Sequence, residues 1–393
     1  MSRVLTGMER LLKDPAPWIP RGSRVGLLVN PASVDQELRP VVERFLGCSH
    51  RSRLVALFGP QHGLWGEKQD NMVLSDHEPT TPWGVPAYSL YKDTLSPTQE
   101  MLRGMDLLVV DLQDVGCRVY TYVATLLGCL RACAEAGVKV LVADRPNPLG
   151  GEAVEGNLLQ PEMISFVGVH PIPMRHGLTL GELARLLAAE LHIQVELEVL
   201  PMEGWSRGML FSETGLPWVL PSPNLPTLDS CWVYPGQVLL EGTNLSEGRG
   251  TTRPFEIFGA PFIEPFHLRR RLESVGLPGV RFRPLYFEPT HNKWQGKRCG
   301  GLQIHVLEPR SFLPYTTSLW ILKEIMAEWG DQLRWRQPPY EFETQRLPFD
   351  LLSGDPMIRI GLEEGLGPSQ LELRWMPALQ QWLIRREAYV LYG

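Results

Sequence analysis

The sequence predicts an α/β fold, a Rossmann-like doubly wound parallel sheet joined to a second, smaller α+β domain. Short apolar runs alternate with helical patterns through the first half, and this alternation changes after about residue 253. The 393 residues exceed the usual size of a single core, which also favours two domains. We therefore expect a Rossmann-like domain over residues 1–253 and a smaller auxiliary α+β domain over residues 254–393.

The predicted strands of the large sheet are continuous runs of leucine and β-branched residues, as expected for strands buried on both faces. They are Arg24–Asn30, Leu54–Phe58, Leu107–Asp111 and Val138–Asp144. Between the last two, apolar residues at helical spacing predict a helix over Tyr122–Ala136, and the glycine that follows is a typical helix end. This β-α-β order indicates a parallel sheet.

A capping box of Thr179 and Glu182 predicts the start of a further helix, and a strand is expected at Val195–Leu200. The following segment LPWVLPSPNLPTLDS contains four prolines, which predict a rigid extended loop.

The predicted auxiliary domain combines strands of alternating character with amphipathic helices. The strands are expected at Val280–Phe287 and Leu302–Val306, and the helices at Leu319–Trp329 and Pro377–Arg386, with the proline in the first turn of the last helix.

Composition excludes several functional classes. The net charge of −6 and pI of about 5.9 argue against nucleic acid as a partner. The N-terminal segment MSRVLTGMERLLKDPAPW lacks the apolar region of a signal peptide, and no apolar run has the length of a membrane span. We therefore expect a cytoplasmic protein without a membrane partner. The six cysteines form no C-x-x-C pair and are expected to be reduced, buried thiols.

Polar residues follow each predicted strand, at the sheet edge where parallel α/β folds bind ligands. These residues are Asn30, Gln61, His62, Asp111, Asp114, Asp144, Arg145 and Asn147. Buried strand ends have no need of carboxylates, whose desolvation is costly, so their convergence indicates a site. The alternative is that Asp111 and Asp144 only cap the turns that follow.

The most polar segment is EGTNLSEGRGTTRPFE, residues 241–256. Its arginines, Arg249 and Arg253, could bind a carboxylate, although a solvated surface loop is the alternative. His62 and His176 lie beside glycines in loops without metal-ligand spacing, so we interpret them as polar site residues and expect no metal. There is no G-x-G-x-x-G, P-loop or G-x-S-x-G motif, and we expect no cofactor.

The motifs FGPQHG, DLQDVGCRVYTY, DRPNPLGG, PIPMRHGLT, LPSPNLPT and LLEGTNLSEGRGTTRPFE occur in this order. Together with LPGVRFRPLYF and CGGLQIHV they resemble the exo-β-N-acetylmuramidase (NamZ) family over almost the whole chain. The resemblance implies a Rossmann-like domain, a smaller auxiliary domain and a cleft between them. It also implies a small amino-sugar substrate, from whose non-reducing end N-acetylmuramic acid is removed.

This chain departs from the family at Gln61, where much of the family has the glutamate proposed to be catalytic. Glutamine neither gives up nor accepts a proton at pH 7. Glu67 and Asp70 follow on the same loop, and Glu67 could supply the acid from a shifted position. The alternatives are a sugar-binding protein with impaired catalysis, action on a related sugar, or a hydrolase of another class such as an esterase or amidase.

Glycoside hydrolysis usually requires two carboxyl groups, although the acetamide of the substrate can replace the nucleophile. The candidate catalytic residues are Glu67, Asp111, Asp114 and Glu247. The candidate substrate-binding residues are Asn30, Gln61, His62, Asp70, Arg118, Tyr120, Asp144, Arg145, Asn147, His176, Asn224, Glu241, Asn244, Arg249, Thr251, Thr252 and Arg253. Of these, Arg118, Arg249 or Arg253 could hold the lactyl carboxylate that distinguishes muramic acid, whereas the oligomeric state stays open.

Overall fold

The computed structural model describes residues 3–48, 52–70 and 72–393. Its strands within these ranges are β1 Arg24–Val29, β2 Arg53–Gly59, β3 Ala87–Ser89, β4 Leu107–Asp111, β5 Lys139–Ala143, β6 Glu155–Leu158, β7 Pro173–Arg175, β8 Leu197–Leu200, β9 Ile257–Ala260, β10 Val280–Phe287 and β11 Cys299–Val306. Its helices there are α1 Gly7–Lys13, α2 Val41–Leu46, α3 Tyr122–Ala136, α4 Leu180–Glu190, α5 Leu228–Gln237, α6 Pro265–Val275, α7 Pro314–Trp329, α8 Pro348–Ser353, α9 Pro356–Glu363 and α10 Pro368–Arg386.

The large sheet has the strand order β3-β2-β1-β4-β5-β8, and all neighbouring strands are parallel. Helices α1 and α2 cover one face, and α3 and α4 cover the other. The chain therefore winds in both directions from β1, and the sheet has a switch point between β1 and β4. In such sheets the crevice beyond the carboxyl ends of the strands is the usual place for a ligand. The predicted doubly wound parallel sheet is confirmed.

The smaller region contains an antiparallel sheet of order β10-β11-β9, against which α5 and α6 pack. It is joined tightly to the large sheet, since one apolar core contains side chains from both regions. The Glu155 carboxylate on β6 accepts hydrogen bonds from the backbone N–H groups of Tyr315 and Thr316, at 3.2 and 2.8 Å, in the first turn of α7. The boundary at residue 253 stays a prediction.

Local sequence accounts for most element ends. Gly137 ends α3 with φ of 66°, a left-handed value that costs little at glycine. Thr179 caps α4 through the predicted capping box with Glu182. The prediction for the last helix was wrong in one respect, because Pro377 lies inside α10 and the first-turn proline is Pro368.

Strand β3 was missed, since three residues are too few to give a periodic signal.

All six cysteines are free, and all but Cys48 are buried. Within the described ranges, no helix combines the length and the apolar character needed to cross a membrane.

Candidate active site

A small enclosed cavity lies where the loops after the large sheet meet the auxiliary region. Its volume is about 40 Å³, which holds a few water molecules but not a sugar ring. The cavity is lined by Gln61, His62, Val119, Tyr120, Thr121, Tyr122, Val167, Ser222, Asn224, Leu225, Tyr234, Glu241, Arg249, Phe255, Tyr340 and Glu341.

Gln61 reaches this cavity from the turn that ends β2. Its side-chain amide is fixed at both ends: Nε2 donates to Oε1 of Glu341 at 3.1 Å, and Oε1 accepts from the Thr121 hydroxyl at 2.7 Å. The next residue, His62, has φ of 76°, and its Nδ1 lies 2.7 Å from the Lys68 carbonyl oxygen. Burial lowers the pKa of His62 to about 4, so its ring is neutral at pH 7.

Glu341 enters the cavity from the auxiliary region, on the loop between α7 and α8. Its Oε2 accepts a 2.6 Å hydrogen bond from the Tyr91 hydroxyl, which follows β3. Glu341 and Phe342 both have left-handed φ values, 44° and 67°, which are costly for residues with a Cβ and cluster at functional sites. Burial raises the pKa of Glu341, and the nearby charge of Glu241 adds to this.

Glu241 is the second carboxyl group of the cavity, and it is held by a cation. Its Oε1 accepts from Nη2 of Arg249 at 2.7 Å and its Oε2 from the Tyr340 hydroxyl at 2.7 Å. Burial acts to raise the pKa of Glu241, but the charge and hydrogen bond of Arg249, with the Tyr340 hydrogen bond and the Lys293 charge, together outweigh it, and the net shift is downward. Behind this pair, Glu247 lies 3.3 Å from Nε of Arg249 and 2.8 Å from Nζ of Lys293.

The cavity thus contains two carboxyl groups whose environments shift their pKa values in opposite directions. The pKa of Glu341 is shifted upward, whereas that of Glu241 is shifted downward. Such a pair is the usual basis for dividing acid and charge-stabilising roles between two carboxyl groups at neutral pH. No cluster of three or more metal-ligating side chains exists in the part of the chain that the structure describes.

A larger, open cleft of about 630 Å³ adjoins the cavity. The two spaces share a wall: the Met72 sulfur accepts from the Glu341 backbone N–H at 3.4 Å, and the Arg336 guanidinium lies 5.3 Å from the centre of the Tyr340 ring. The cleft is lined by Asp70, Met72, Thr243, Asn244, Asn292, Lys293, Trp294, Arg334, Trp335 and Arg336. Indole rings beside cationic and amide groups suit a polar ligand with apolar faces.

The structure brings part of the predicted site together. The predicted residues on the cavity are Gln61, His62, Tyr120, Asn224, Glu241 and Arg249. Asp70 and Asn244 line the cleft, and Glu247 belongs to the ion network behind Arg249. The asparagine amide of Asn224 also donates to the Gln69 carbonyl oxygen, which ties the proline-rich loop to the Gln61 loop.

Three strand-end residues form structural pairs instead of lining the cavity. Asp111 accepts from both Nε and Nη2 of Arg145, at 2.6 and 2.9 Å, in a buried bidentate ion pair. Asp144 caps α4, because its oxygens accept from the Gly181 backbone N–H at 2.8 Å and the Thr179 hydroxyl at 2.7 Å. Asp144 therefore caps a helix that begins far along the chain, and not the turn that directly follows its strand.

Further candidates are buried outside the cavity. Arg118 donates to four backbone carbonyl oxygens, among them those of Asn157 and Ser353, so its guanidinium cannot hold a ligand carboxylate. Asn30 and Asn147 likewise fix loops through backbone groups.

Asp114 and His176 face each other in the interior, with Nε2 of the ring 3.9 Å from Oδ2 of the carboxyl group. Burial raises the pKa of Asp114 to about 7 and lowers that of His176 to about 3. At pH 7 His176 is therefore neutral and Asp114 is about half-protonated, and neither lines the cavity.

Glu67 and the last residues of the polar segment lie at the surface. The Glu67 side chain is 52% exposed and its carboxylate is 4.0 Å from Nζ of Lys68, so it does not reach the cavity in this conformation. Thr252 and Arg253 are exposed, Thr251 is half-buried, and Arg253 pairs with Glu256 at 3.4 Å.

Sequence reasoning missed Glu341 and its donor Tyr91, the Thr121 hydroxyl that holds Gln61, as well as Tyr340 and Lys293. Tyr91 follows a strand that was itself missed, Thr121 lies at the far end of the loop between β4 and α3, and the others lie in the auxiliary region. The segment PPYEFE gives no local signal beyond two prolines before a tyrosine.

Comparisons with known proteins match this architecture throughout. Two family models cover the chain: exo-β-N-acetylmuramidase NamZ, N-terminal, over residues 25–229, and exo-β-N-acetylmuramidase NamZ, C-terminal, over residues 232–392. The peptidoglycan β-N-acetylmuramidase NamZ of Bacillus subtilis (strain 168) is 43% identical over 99% of this chain and 92% of the relative.

Two crystal structures of DUF1343 family proteins from Bacteroides fragilis NCTC 9343 share the fold. They match with TM-scores of 0.88 and 0.77 at 33% and 28% identity, each over 100% of this chain and 99% of the other.

Proposed function

Because this chain belongs to the family of exo-β-N-acetylmuramidases named NamZ, we propose that it is a glycoside hydrolase that releases N-acetylmuramic acid from the non-reducing end of peptidoglycan fragments. The observation that carries the proposal is the pair of carboxyl groups, Glu241 and Glu341, in one buried cavity. Their pKa values are shifted in opposite directions, as expected where one carboxyl group acts as an acid and the other as a carboxylate in glycosidic cleavage.

The arrangement of a closed cavity at the end of an open cleft supports exo action. A closed end accepts only the terminal sugar, while the cleft accommodates the remainder of the fragment. At about 40 Å³ the cavity admits a sugar ring only when its wall moves. We propose that segment 340–342 is the part of the wall that moves, because two consecutive residues there have left-handed φ values and the Phe342 side chain is exposed.

Arg249 is the group best placed to recognise the lactyl carboxylate of muramic acid. Its guanidinium is buried on the cavity wall, and among the described residues its Nη1 has no hydrogen-bond partner. A carboxylate of the substrate would complete the charge-assisted hydrogen bonding of this cation. N-Acetylglucosamine lacks the lactyl group and would leave Nη1 without a hydrogen-bond acceptor.

One rival function has a specific observation in its favour. Gln61 stands where much of the family has its proposed catalytic glutamate, which favours an amino-sugar-binding protein that does not cleave. Such a protein would hold the terminal sugar in the same cavity without turnover.

Incubation with the disaccharide MurNAc-GlcNAc, followed by mass spectrometry, separates these functions. We expect release of free N-acetylmuramic acid and N-acetylglucosamine, and stepwise release from the non-reducing end of longer chains. Binding without products would establish the sugar-binding alternative, whereas cleavage within long chains would exclude exo action.

A second arm of this experiment tests Arg249 by calorimetric titration with each monosaccharide. In an Arg249→Ala variant, affinity for N-acetylmuramic acid should fall by about 1.5–3 kcal/mol more than affinity for N-acetylglucosamine. The ratio of the two affinities is unaffected by partial unfolding. An equal loss for both sugars would show that Arg249 does not read the lactyl group.

We also propose that the protein acts in the cytoplasm. Its six free cysteines are in keeping with a reducing compartment. Cell fractionation with an antibody against the chain would test this placement.

A further inference from the structure

We infer that Glu341, contributed by the auxiliary region, is the general acid of the reaction, and that Gln61 is a positioning residue that orients its carboxyl group. This inference rests on the proposed function, because it assigns roles within the same glycosidase site. It also moves the acid from the Gln61 loop, where sequence reasoning expected it, to the loop between α7 and α8.

The hydrogen bonds of Glu341 fix the position of its carboxyl group. Its Oε1 accepts from the Gln61 amide at 3.1 Å and its Oε2 accepts from the Tyr91 hydroxyl at 2.6 Å. These two donors act to lower the pKa of Glu341, but burial and the charge of Glu241 outweigh them, so the net shift is upward. The carboxyl group lines the cavity, where a glycosidic oxygen of the substrate would lie.

Because residue 61 is a glutamine, the Glu341 carboxyl group is not paired with a second carboxyl group at that position. A glutamate there would place two carboxyl groups about 3 Å apart, and the pair would share one proton and titrate together. The Gln61 amide has no such titration, and Thr121 fixes its orientation by donating to Oε1. The departure from the family pattern therefore leaves a working proton donor in the cavity, carried by a different segment.

The charges around Glu341 support this assignment. The charged or titratable groups around it are Tyr91, Tyr234, Glu241, Arg249 and Tyr340; of the two charges, Glu241 raises its pKa and Arg249 lowers it. Glu241 is held as a carboxylate by Arg249, and its negative charge disfavours a second carboxylate in the same cavity. Glu241 is in turn the group that can stabilise positive charge at the anomeric carbon or orient the acetamide.

The proton balance of the step is simple. As the bond between the anomeric carbon and the glycosidic oxygen breaks, its electron pair stays on the oxygen, which takes the Glu341 proton and leaves as a hydroxyl group. A water molecule supplies hydroxide to the anomeric carbon, and its remaining proton restores the Glu341 acid. No further reactant is needed.

The test compares leaving groups in the full chain. MurNAc-GlcNAc loses a sugar alkoxide that requires a proton, whereas 4-nitrophenyl β-N-acetylmuraminide loses a phenolate that requires none. We expect Glu341→Gln to lower kcat/KM for the disaccharide at least about a hundredfold, the usual minimum for a general acid, and to lower that for the aryl glycoside far less. Thermal unfolding of each variant shows whether it is folded.

The pH profile provides a second readout. Activity on the disaccharide should fall as pH rises through the pKa of Glu341, because the acid form is the active one, and Glu341→Gln should abolish this alkaline limb. Gln61→Glu should move the limb to higher pH without raising kcat, since a second carboxyl group opposes ionisation of the first.

Several results would overturn the inference while the proposed function stands. One is that the natural protein cleaves the disaccharide and Glu341→Gln either leaves this activity intact or lowers kcat/KM equally for both substrates. Another is that Glu67→Gln, a variant on the Gln61 loop, lowers kcat/KM for the disaccharide far more than for the aryl glycoside. A third is a Gln61→Glu variant more active than the natural protein, which would place the acid at position 61. If the natural protein releases no N-acetylmuramic acid from either substrate, the proposed function itself fails.

Discussion

Replacing Arg249 by methionine tests the buried ion network on which the cavity depends. The Arg249 and Glu241 side chains are 7% and 5% exposed and lie 2.7 Å apart. Removing one partner of a buried pair typically costs about 3–5 kcal/mol, because the other charge is left uncompensated. Glu247 keeps Lys293 at 2.8 Å, so Glu241 is the carboxylate most affected by the loss of the guanidinium. We therefore expect a loss at the lower end, about 3 kcal/mol.

The measurement is urea unfolding at pH 7 followed by tryptophan fluorescence, with the natural protein, Arg249→Met, Glu241→Gln and the double variant. The double variant should lose less stability than the sum of the single ones, since it contains no unpaired carboxylate. In Arg249→Met, burial raises the pKa of Glu241 above its unfolded value, so its stability deficit should shrink as pH falls. A deficit below about 1 kcal/mol, or strict additivity, would refute this account of the network.

Other regions give independent predictions. Burial raises the pKa of Asp114 from 3.8 to about 7, so the folded state binds a proton that the unfolded chain has lost, and stability falls as pH rises between about 4 and 7. Asp114→Asn should flatten this slope in urea titrations at several pH values; an unchanged slope would contradict it. Gly248→Ala should destabilise more than Gly296→Ala, because both glycines have positive φ but only Gly248 would place a Cβ 2.4 Å from a backbone oxygen; equal melting temperatures would show otherwise. Arg334→Ala in the cleft should raise KM for MurNAc-GlcNAc about tenfold, the value of a hydrogen bond to a charged group, and leave KM for the aryl glycoside unchanged. A similar rise for both substrates would exclude the cleft as the site of the leaving sugar.

The large sheet could be predicted from sequence because local residue patterns determine its strands and the helices between them. Strands buried on both faces read as unbroken apolar runs, and Leu107–Asp111 and Tyr122–Ala136 have the predicted bounds. Glycine and capping signals then fix where helices begin and end. The three residues of strand β3 gave too short a pattern. Helix α10 continues past Pro377 because it starts at Pro368, nine residues upstream.

The site could be predicted only in part, because a polar strand end has two uses that look alike in sequence. Asp111 and Asp144 follow strands in the same way as Gln61 follows β2. In the fold the first binds Arg145 and the second caps α4, and both are fully buried. What separates them from Gln61 is the partner that tertiary packing supplies, and that partner lies far along the chain.

Glu341 is the clearest case of such a partner. It lies 280 residues after Gln61, in a loop with no strand end, glycine or repeated spacing to mark it. Its chemistry depends on two donors, Gln61 and Tyr91, that only the packing of the auxiliary region against the large sheet brings within 3.1 Å. A glutamine in place of an expected glutamate therefore does not by itself indicate an inactive site. A carboxyl group from another segment can occupy the same cavity, and a neutral amide is then the better neighbour, because it donates to the acid without competing for its proton.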